Sequence, residues 1–223
     1  MGQPMEPVAL PGMGEPPQLW LVHAQEEYDA AAARMDVLDE EERARAASFL
    51  RAGDRSLYTA AHVGLRLLLG RYLDIDPAAV PLIRLECPTC DVLHGRPAVE
   101  GQPVHFSLSH SAGLGLLAFA AVPVGADVEA VPELKTVGEV ASALHAREAM
   151  ELAATSPADR PRAFARTWAR KEAYLKGLGT GLGRDPSLDY VGTGESAAAL
   201  PDWSISDVAV GTAHEAAVAV RSH

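Results

Sequence analysis

Asp127 and Glu129 lie in the run Val124-Gly125-Ala126-Asp127-Val128-Glu129. If that run is a strand, residues two apart share a face, roughly 6–7 Å apart, and apolar Ala126 and Val128 turn to the core. Two carboxylates on one face repel each other unless a cation or water stands between them. An all-oxygen pair of this kind suits magnesium, which takes few protein carboxylates and leaves room for substrate phosphates. Two solvated acids at an exposed strand end would show the same spacing, so the pair gains meaning only from its company.

That company is the run from Trp168 to Gly181, Trp168-Ala169-Arg170-Lys171-Glu172-Ala173-Tyr174-Leu175-Lys176-Gly177-Leu178-Gly179-Thr180-Gly181. On a helix Trp168, Glu172 and Lys176 recur every four residues and share one face. Glu172 and Lys176 could form an ordinary surface pair. Yet the chain has only three lysines beside sixteen arginines, and Lys171 and Lys176 are two of the three. A compact ammonium suits phosphate. Gly177, Gly179, Gly181 and Gly183 then alternate, which permits close approach of backbone to a ligand.

A third element is Phe106-Ser107-Leu108-Ser109-His110-Ser111-Ala112-Gly113, preceded by Gly95-Arg96-Pro97. Hydroxyl, imidazole and free N–H groups at the end of a strand can hold a phosphate. A Ser-His hydrolase is the rival reading, but neighbours on a strand point to opposite faces, and no G-x-S-x-G elbow is present. Cys87-Pro88-Thr89-Cys90 with His94 resembles half a zinc knuckle. No second ligand pair follows, so a turn with two reduced thiols is expected.

The elements that must carry these groups read as a mixture of helix and strand without regular βαβ alternation. Leu19–Val22 reads as a strand. Asp39 caps an acidic first turn, and Gly53 breaks that helix. Asp54 caps a longer one carrying Leu57, Ala61, Leu65, Leu68, Leu69 and Tyr72 at helical spacing. Asp76-Pro77 opens a short helix, and Leu82–Leu85 reads as a strand. Val104, Phe106 and Leu108 alternate with polar residues as in a half-buried strand, whereas Leu114–Val122 is a nearly continuous apolar run that fits a buried one. Val124–Glu129 follows as another strand. Glu139–Leu152 and Pro161–Lys176 are helical, with Gly177 as a stop for the latter. Trp203–Val210 and Glu215–Arg221 form a final hairpin. Strands and helices in separate runs indicate an α+β fold. Residues 1–17, rich in proline and glycine, read as a flexible tail, and the two halves as 18–123 and 124–223.

Composition narrows the classes. The chain has 223 residues, 48% hydrophobic and 22% charged, with a formal net charge of −11. That charge disfavours wrapping of nucleic acid. No apolar stretch is long enough for a membrane span. The start lacks the pattern of a secretory signal, and two cysteines do not make a disulfide scaffold. A cytoplasmic location is expected. The positive charge is uneven: from Arg160 to Arg184, Arg160, Arg162, Arg166, Arg170, Lys171, Lys176 and Arg184 are opposed by Glu172 alone, which points to an anionic ligand or to a solvated basic helix face.

Taken together, Gly95-Arg96-Pro97, Phe106–Ser111, Val124–Glu129 and the Trp168–Gly181 motif resemble the Sfp-type 4′-phosphopantetheinyl transferases, in order and rough spacing, over nearly all of the chain beyond the tail. The resemblance implies a pseudo-dimer of two similar α+β halves with the active site in the cleft between them. It implies coenzyme A as donor, an apo acyl or peptidyl carrier protein as acceptor, and adenosine 3′,5′-bisphosphate as the other product. It implies magnesium held by Asp127, Glu129 and Glu172, with Lys171 and Lys176 on the donor phosphates. Arg96, Ser109 and His110 would surround the adenosine 3′-phosphate, and Arg45 would be a further basic contact. Lys176 would stabilise the departing bisphosphate, and Glu172 would take the serine proton. A magnesium phosphohydrolase using the same acids and a non-catalytic coenzyme A-binding module are the alternatives.

Overall fold

The computed structural model describes residues 8–88 and 95–222. The first half runs through β1 (Gln18–His23), α1 (Ala24–Ala32), α2 (Glu40–Ser48), α3 (Ala52–Leu73), β2 (Leu82–Arg84), β3 (Pro97–Val99), β4 (His105–Ser111) and β5 (Leu114–Ala120). The second runs through β6 (Val124–Ala130), α4 (Leu134–Val140), α5 (Ala146–Ala154), α6 (Arg160–Leu178), β7 (Trp203–Val208) and β8 (His214–Arg221). There are two antiparallel three-stranded sheets, ordered β1-β5-β4 and β6-β8-β7, and a separate small β2-β3 pair. The molecule is thus α+β, and each half sets one such sheet against a long helix, α3 in the first and α6 in the second.

β5 explains why its sequence does not alternate. Leu117 and Phe119 pack into a core with Val63, Leu65 and Leu69 of α3. Leu114, Leu116, Ala118 and Ala120 pack on the opposite side, against Val124, Ala126 and Val128 of β6 and Ala216 and Val218 of β8. A strand buried on both faces has no polar face to show. It forms the seam between the halves.

β4 alternates because its faces differ. Phe106 joins the α3 core, while the serines turn to β6. Ser107 Oγ accepts from Ala126 N at 2.9 Å, Ser111 Oγ accepts from Ala130 N at 3.2 Å, and Ser109 Oγ donates to Asp127 Oδ1 at 2.7 Å. Serine hydroxyls therefore stitch the edges of the two sheets together.

β6 meets α6 by glycine-to-glycine contact. A Cβ on Gly125 would stand 2.0 Å from Ala173 O and 2.3 Å from Gly177 N, and one on Gly177 would strike the Trp203 ring at 2.4 Å. No side chain fits there, so helix and strand approach at backbone distance. Ala169, Ala173 and Leu175 then fill the space against Ala217 and Ala219 of β8.

Several boundaries differ from the sequence reading. Gly53 and Asp54 lie inside α3, which starts at Ala52 with Arg51 as its N-cap. α2 instead ends at Ser48, after opening on the expected Asp39 cap, where Asp39 and Glu42 form a reciprocal capping box. Pro77–Ala79 is one 3-10 turn. The expected helix from Glu139 to Leu152 is two: α4 ends in a 3-10 turn, and His145 and Glu148 box the start of α5. Gly177 does not stop α6. Gly179 does, in the left-handed conformation at φ 83°. Of the stretch read as a tail, Ala9 and Leu10 lie on the first half, with Ala9 O accepting from Gln18 Nε2 at 3.0 Å and Leu10 packed on the α3 core.

Candidate active site

A cleft of about 570 Å³ opens at the seam. Its first-half wall carries His62, Arg84, Arg96, Phe106, Ser109 and His110; its second-half wall carries Asp127, Glu129, Glu172, Lys176, Gly179 and Gly181. Strand period places Asp127 and Glu129 together on the face of β6 opposite Ala126 and Val128. The Gly125–Gly177 contact brings α6 alongside, and the four-residue spacing of Glu172 and Lys176 turns both into the same space.

Asp127 is the fixed point. It is 2% exposed. Its Oδ1 accepts from Ser109 Oγ at 2.7 Å and from Lys176 Nζ at 2.6 Å, and Lys176 also donates to Ser109 Oγ at 2.9 Å. Its Oδ2 is buried and has no hydrogen-bond partner among the described residues. Burial pushes the Asp127 carboxyl above its ordinary range, against the pull of Lys176 and Ser109. Burial, then the charges of Asp127 and Glu172, push Glu129 up to about 7. Glu172 is raised for the same reasons, burial first and Asp127 next, with Lys176 opposing. Three oxygen donors that hold their protons too tightly, one with a bare buried oxygen, fit a hard divalent cation. As they stand, the described residues do not gather three His, Cys, Asp or Glu side chains into a finished ligand shell. The carboxylates repel, and Lys176 engages Asp127.

On the facing wall Arg96 Nη1 donates to Gly177 O at 3.0 Å, which ties the first half to α6. Burial, then the nearby Arg221, lower its guanidinium from the usual range. His110 is exposed at the mouth. Gly179 and Gly181, with φ of 83° and 49°, carry the backbone round the end of α6 into the cleft.

Seven of the expected site residues therefore share one cavity: Arg96, Ser109, His110, Asp127, Glu129, Glu172 and Lys176. Two do not. Lys171, expected on donor phosphates, is 1% exposed and turns into the second half, where it pairs with Glu148 at 2.8 Å and donates to Asp189 O. One residue of helix separates it from Glu172 by about 100°, so only one of the two can face the cleft. Arg45 lies outside the cavity wall, on exposed α2, with its guanidinium 5.0 Å from the Phe49 ring centroid.

The basic run also resolves differently. Arg160 caps Ala153 and Thr155 carbonyls, Arg162 pairs with Glu215, Arg166 donates to Thr193 O, Arg170 pairs with Asp207, and Arg184 with Asp189. Most of that charge braces the second half, and Lys176 is the member of the run that reaches the cleft. Cys87 is buried; Cys90 and His94, the remainder of the possible zinc motif, lie outside the described residues.

The sequence reading missed His62 and Arg84. His62 Nδ1 lies 3.3 Å from Glu42 Oε1, and its ring stacks on Tyr58 with centroids 3.9 Å apart. Glu42 is itself held by Arg66 Nε at 2.5 Å. The signal was the capping-box glutamate: its partner Arg66 and His62 stand four apart on α3, so one helix face carries both groups that meet it.

Comparisons with known proteins point to one family. Residues 123–206, which include both acid-bearing elements, match the model of the 4′-phosphopantetheinyl transferase superfamily. The chain is 30% identical over 207 residues to a 4′-phosphopantetheinyl transferase, HetI, of a Nostoc species, spanning 91% of this chain and 86% of that protein. It is 30% identical over 173 residues to a phosphopantetheinyl transferase of a Thraustochytrium species, covering 70% of this chain and 58% of the other. Identity to the 4′-phosphopantetheinyl transferase Sfp of Bacillus subtilis is 25% over 150 residues, or 66% of this chain and 63% of the other.

Proposed function

Because this chain belongs to the 4′-phosphopantetheinyl transferase superfamily, we propose that it transfers the 4′-phosphopantetheine arm of coenzyme A to a serine of an apo acyl or peptidyl carrier protein. The observation that carries the finer reading is Asp127: a buried carboxylate with one oxygen engaged by Lys176 and Ser109, the other bare, and two further acids on the same cleft. Asp127, Glu129 and Glu172 would hold magnesium, whose contribution when bound is to neutralise charge on the donor pyrophosphate.

The chain's own groups do the rest. Arg96 and His110 supply guanidinium and imidazole donors to the 3′-phosphate, with Ser109, whose one hydroxyl proton goes to Asp127, beside them. The acceptor serine oxygen bonds to the phosphorus bearing the pantetheine arm as the anhydride P–O bond breaks. The electron pair leaves with adenosine 3′,5′-bisphosphate, and Lys176 stabilises the charge that gathers there. The serine proton passes to Glu172, directly or through a water. We take the enzyme to act as a cytoplasmic monomer. No described helix is long and apolar enough to cross a membrane.

Intact mass spectrometry tests the reading. Apo carriers mixed with coenzyme A, magnesium and the protein should each gain one phosphopantetheine on serine. Free phosphopantetheine with no mass gain on any carrier would overturn it in favour of a phosphohydrolase.

A further inference from the structure

Lys176 is the positive group felt by all three carboxylates of the cleft. Its ammonium lies 2.6 Å from Asp127 Oδ1, and its charge also acts on Glu129 and Glu172. Asp127 and Lys176 differ in freedom. The Asp127 side chain is 3% exposed on a central stretch of strand, whereas Lys176 is 29% exposed at the cleft. A four-carbon stem can swing its ammonium away; the aspartate cannot follow. Ser109 bridges the two, donating to Asp127 and accepting from Lys176. The lysine thus does for the free protein part of what a divalent ion would do: it compensates a cluster of acids that would otherwise face one another unscreened.

We propose that Lys176 is the resident counter-ion of the acid site, which a divalent cation must displace from Asp127 and which the donor's phosphates then receive. The inference rests on the transferase reading above and adds a coupling to it. A cation entering alone, even at Oδ2, meets an ammonium 2.6 Å from Oδ1 of the same carboxylate. A donor entering alone finds that ammonium engaged. Each ligand removes the obstacle to the other, so cation and donor support one another's binding, and by linkage the support is equal in both directions.

The test is manganese binding by the full-length chain, read as loss of the free-ion signal in electron paramagnetic resonance, with and without coenzyme A. Without coenzyme A, Lys176→Met should bind manganese about tenfold tighter than the wild type, because a unit positive charge has left the ion's surroundings. Lys176→Arg, which keeps the charge, should bind much as the wild type does. Coenzyme A should tighten manganese binding by a larger factor in the wild type than in Lys176→Met. A folded Lys176→Met chain that binds the ion no tighter than the wild type overturns the proposal.

If that variant does not fold, the wild type supplies the answer. The chain has three lysines, Lys135, Lys171 and Lys176, so ¹⁵N-labelled lysine ammonium resonances are few. Magnesium should shift the Lys176 resonance, and an unmoved resonance at saturating magnesium overturns the counter-ion role. A wild type that modifies carriers while failing either measurement loses this proposal alone. A wild type that binds no divalent ion and modifies no carrier loses the transferase reading with it.

Discussion

At the scale of single residues, the acids of the cleft are defined by how unwillingly they are charged. Glu129 illustrates the sign. Its ordinary carboxyl value of 4.5 is raised to about 7 in the folded chain. Between those values the folded chain binds more protons than the unfolded one, so stability falls as pH rises through that window. Discounted for partial exposure, the loss is about 1–2 kcal/mol. Metal-free melts should therefore give a lower Tm at pH 8 than at pH 5. Glu129→Gln should flatten the difference, and saturating magnesium should oppose it, since the ion favours the charged form. Glu172 is tested by kinetics. Glu172→Gln should retain coenzyme A binding by calorimetry and lose transfer by about 100-fold or more, the usual worth of a positioned base. Unchanged turnover would remove Glu172 from that role.

At the scale of elements, α6 divides its labour by face. One face carries Glu172 and Lys176 to the cleft. Another buries Arg170 against Asp207 and Lys171 against Glu148. Glu148 is wholly buried and also accepts from Val191 N at 2.7 Å and His145 N at 3.0 Å, so Lys171 completes a bracket that ties α5, α6 and the segment before β7 together. Removing one partner of such a pair strands a buried charge. Lys171→Met should cost about 3–5 kcal/mol of stability by denaturant titration, with no change in the KM for coenzyme A at temperatures where the variant remains folded. A raised KM with intact stability would instead return Lys171 to the donor site.

At the scale of the whole molecule, the cleft exists because β5 is buried from both sides and the serines of β4 hold the edge of β6. The candidate 3′-phosphate contacts come from the first half, and the candidate metal ligands and Lys176 from the second. A donor bound with its cation would bridge both and raise stability by mass action, about 2.7 kcal/mol at a hundredfold excess over Kd. Differential scanning calorimetry should show a single transition moving up with coenzyme A plus magnesium by more than the sum of the separate shifts. Strictly additive shifts would mean that the two ligands bind without coupling.

The sequence by itself determined much of this. Strand period put Asp127 and Glu129 on one face, helical period put Glu172 and Lys176 on another, and the Asp39 cap and the nearly continuous Leu114–Val122 run announced their elements, because each is a local consequence of backbone geometry. What only the tertiary structure decided is which way each helix turns and what it meets. Lys171 and Lys176 look alike in the chain, yet one is sealed against Glu148 and the other faces the acids. Gly177 reads as a stop, yet Gly125 and Trp203 require it inside the helix. His62 had no local signal of its own, since its place on the cleft depends on Glu42, 20 residues earlier in the chain. Contacts between distant segments are set by packing, and packing is not written in any single window of sequence.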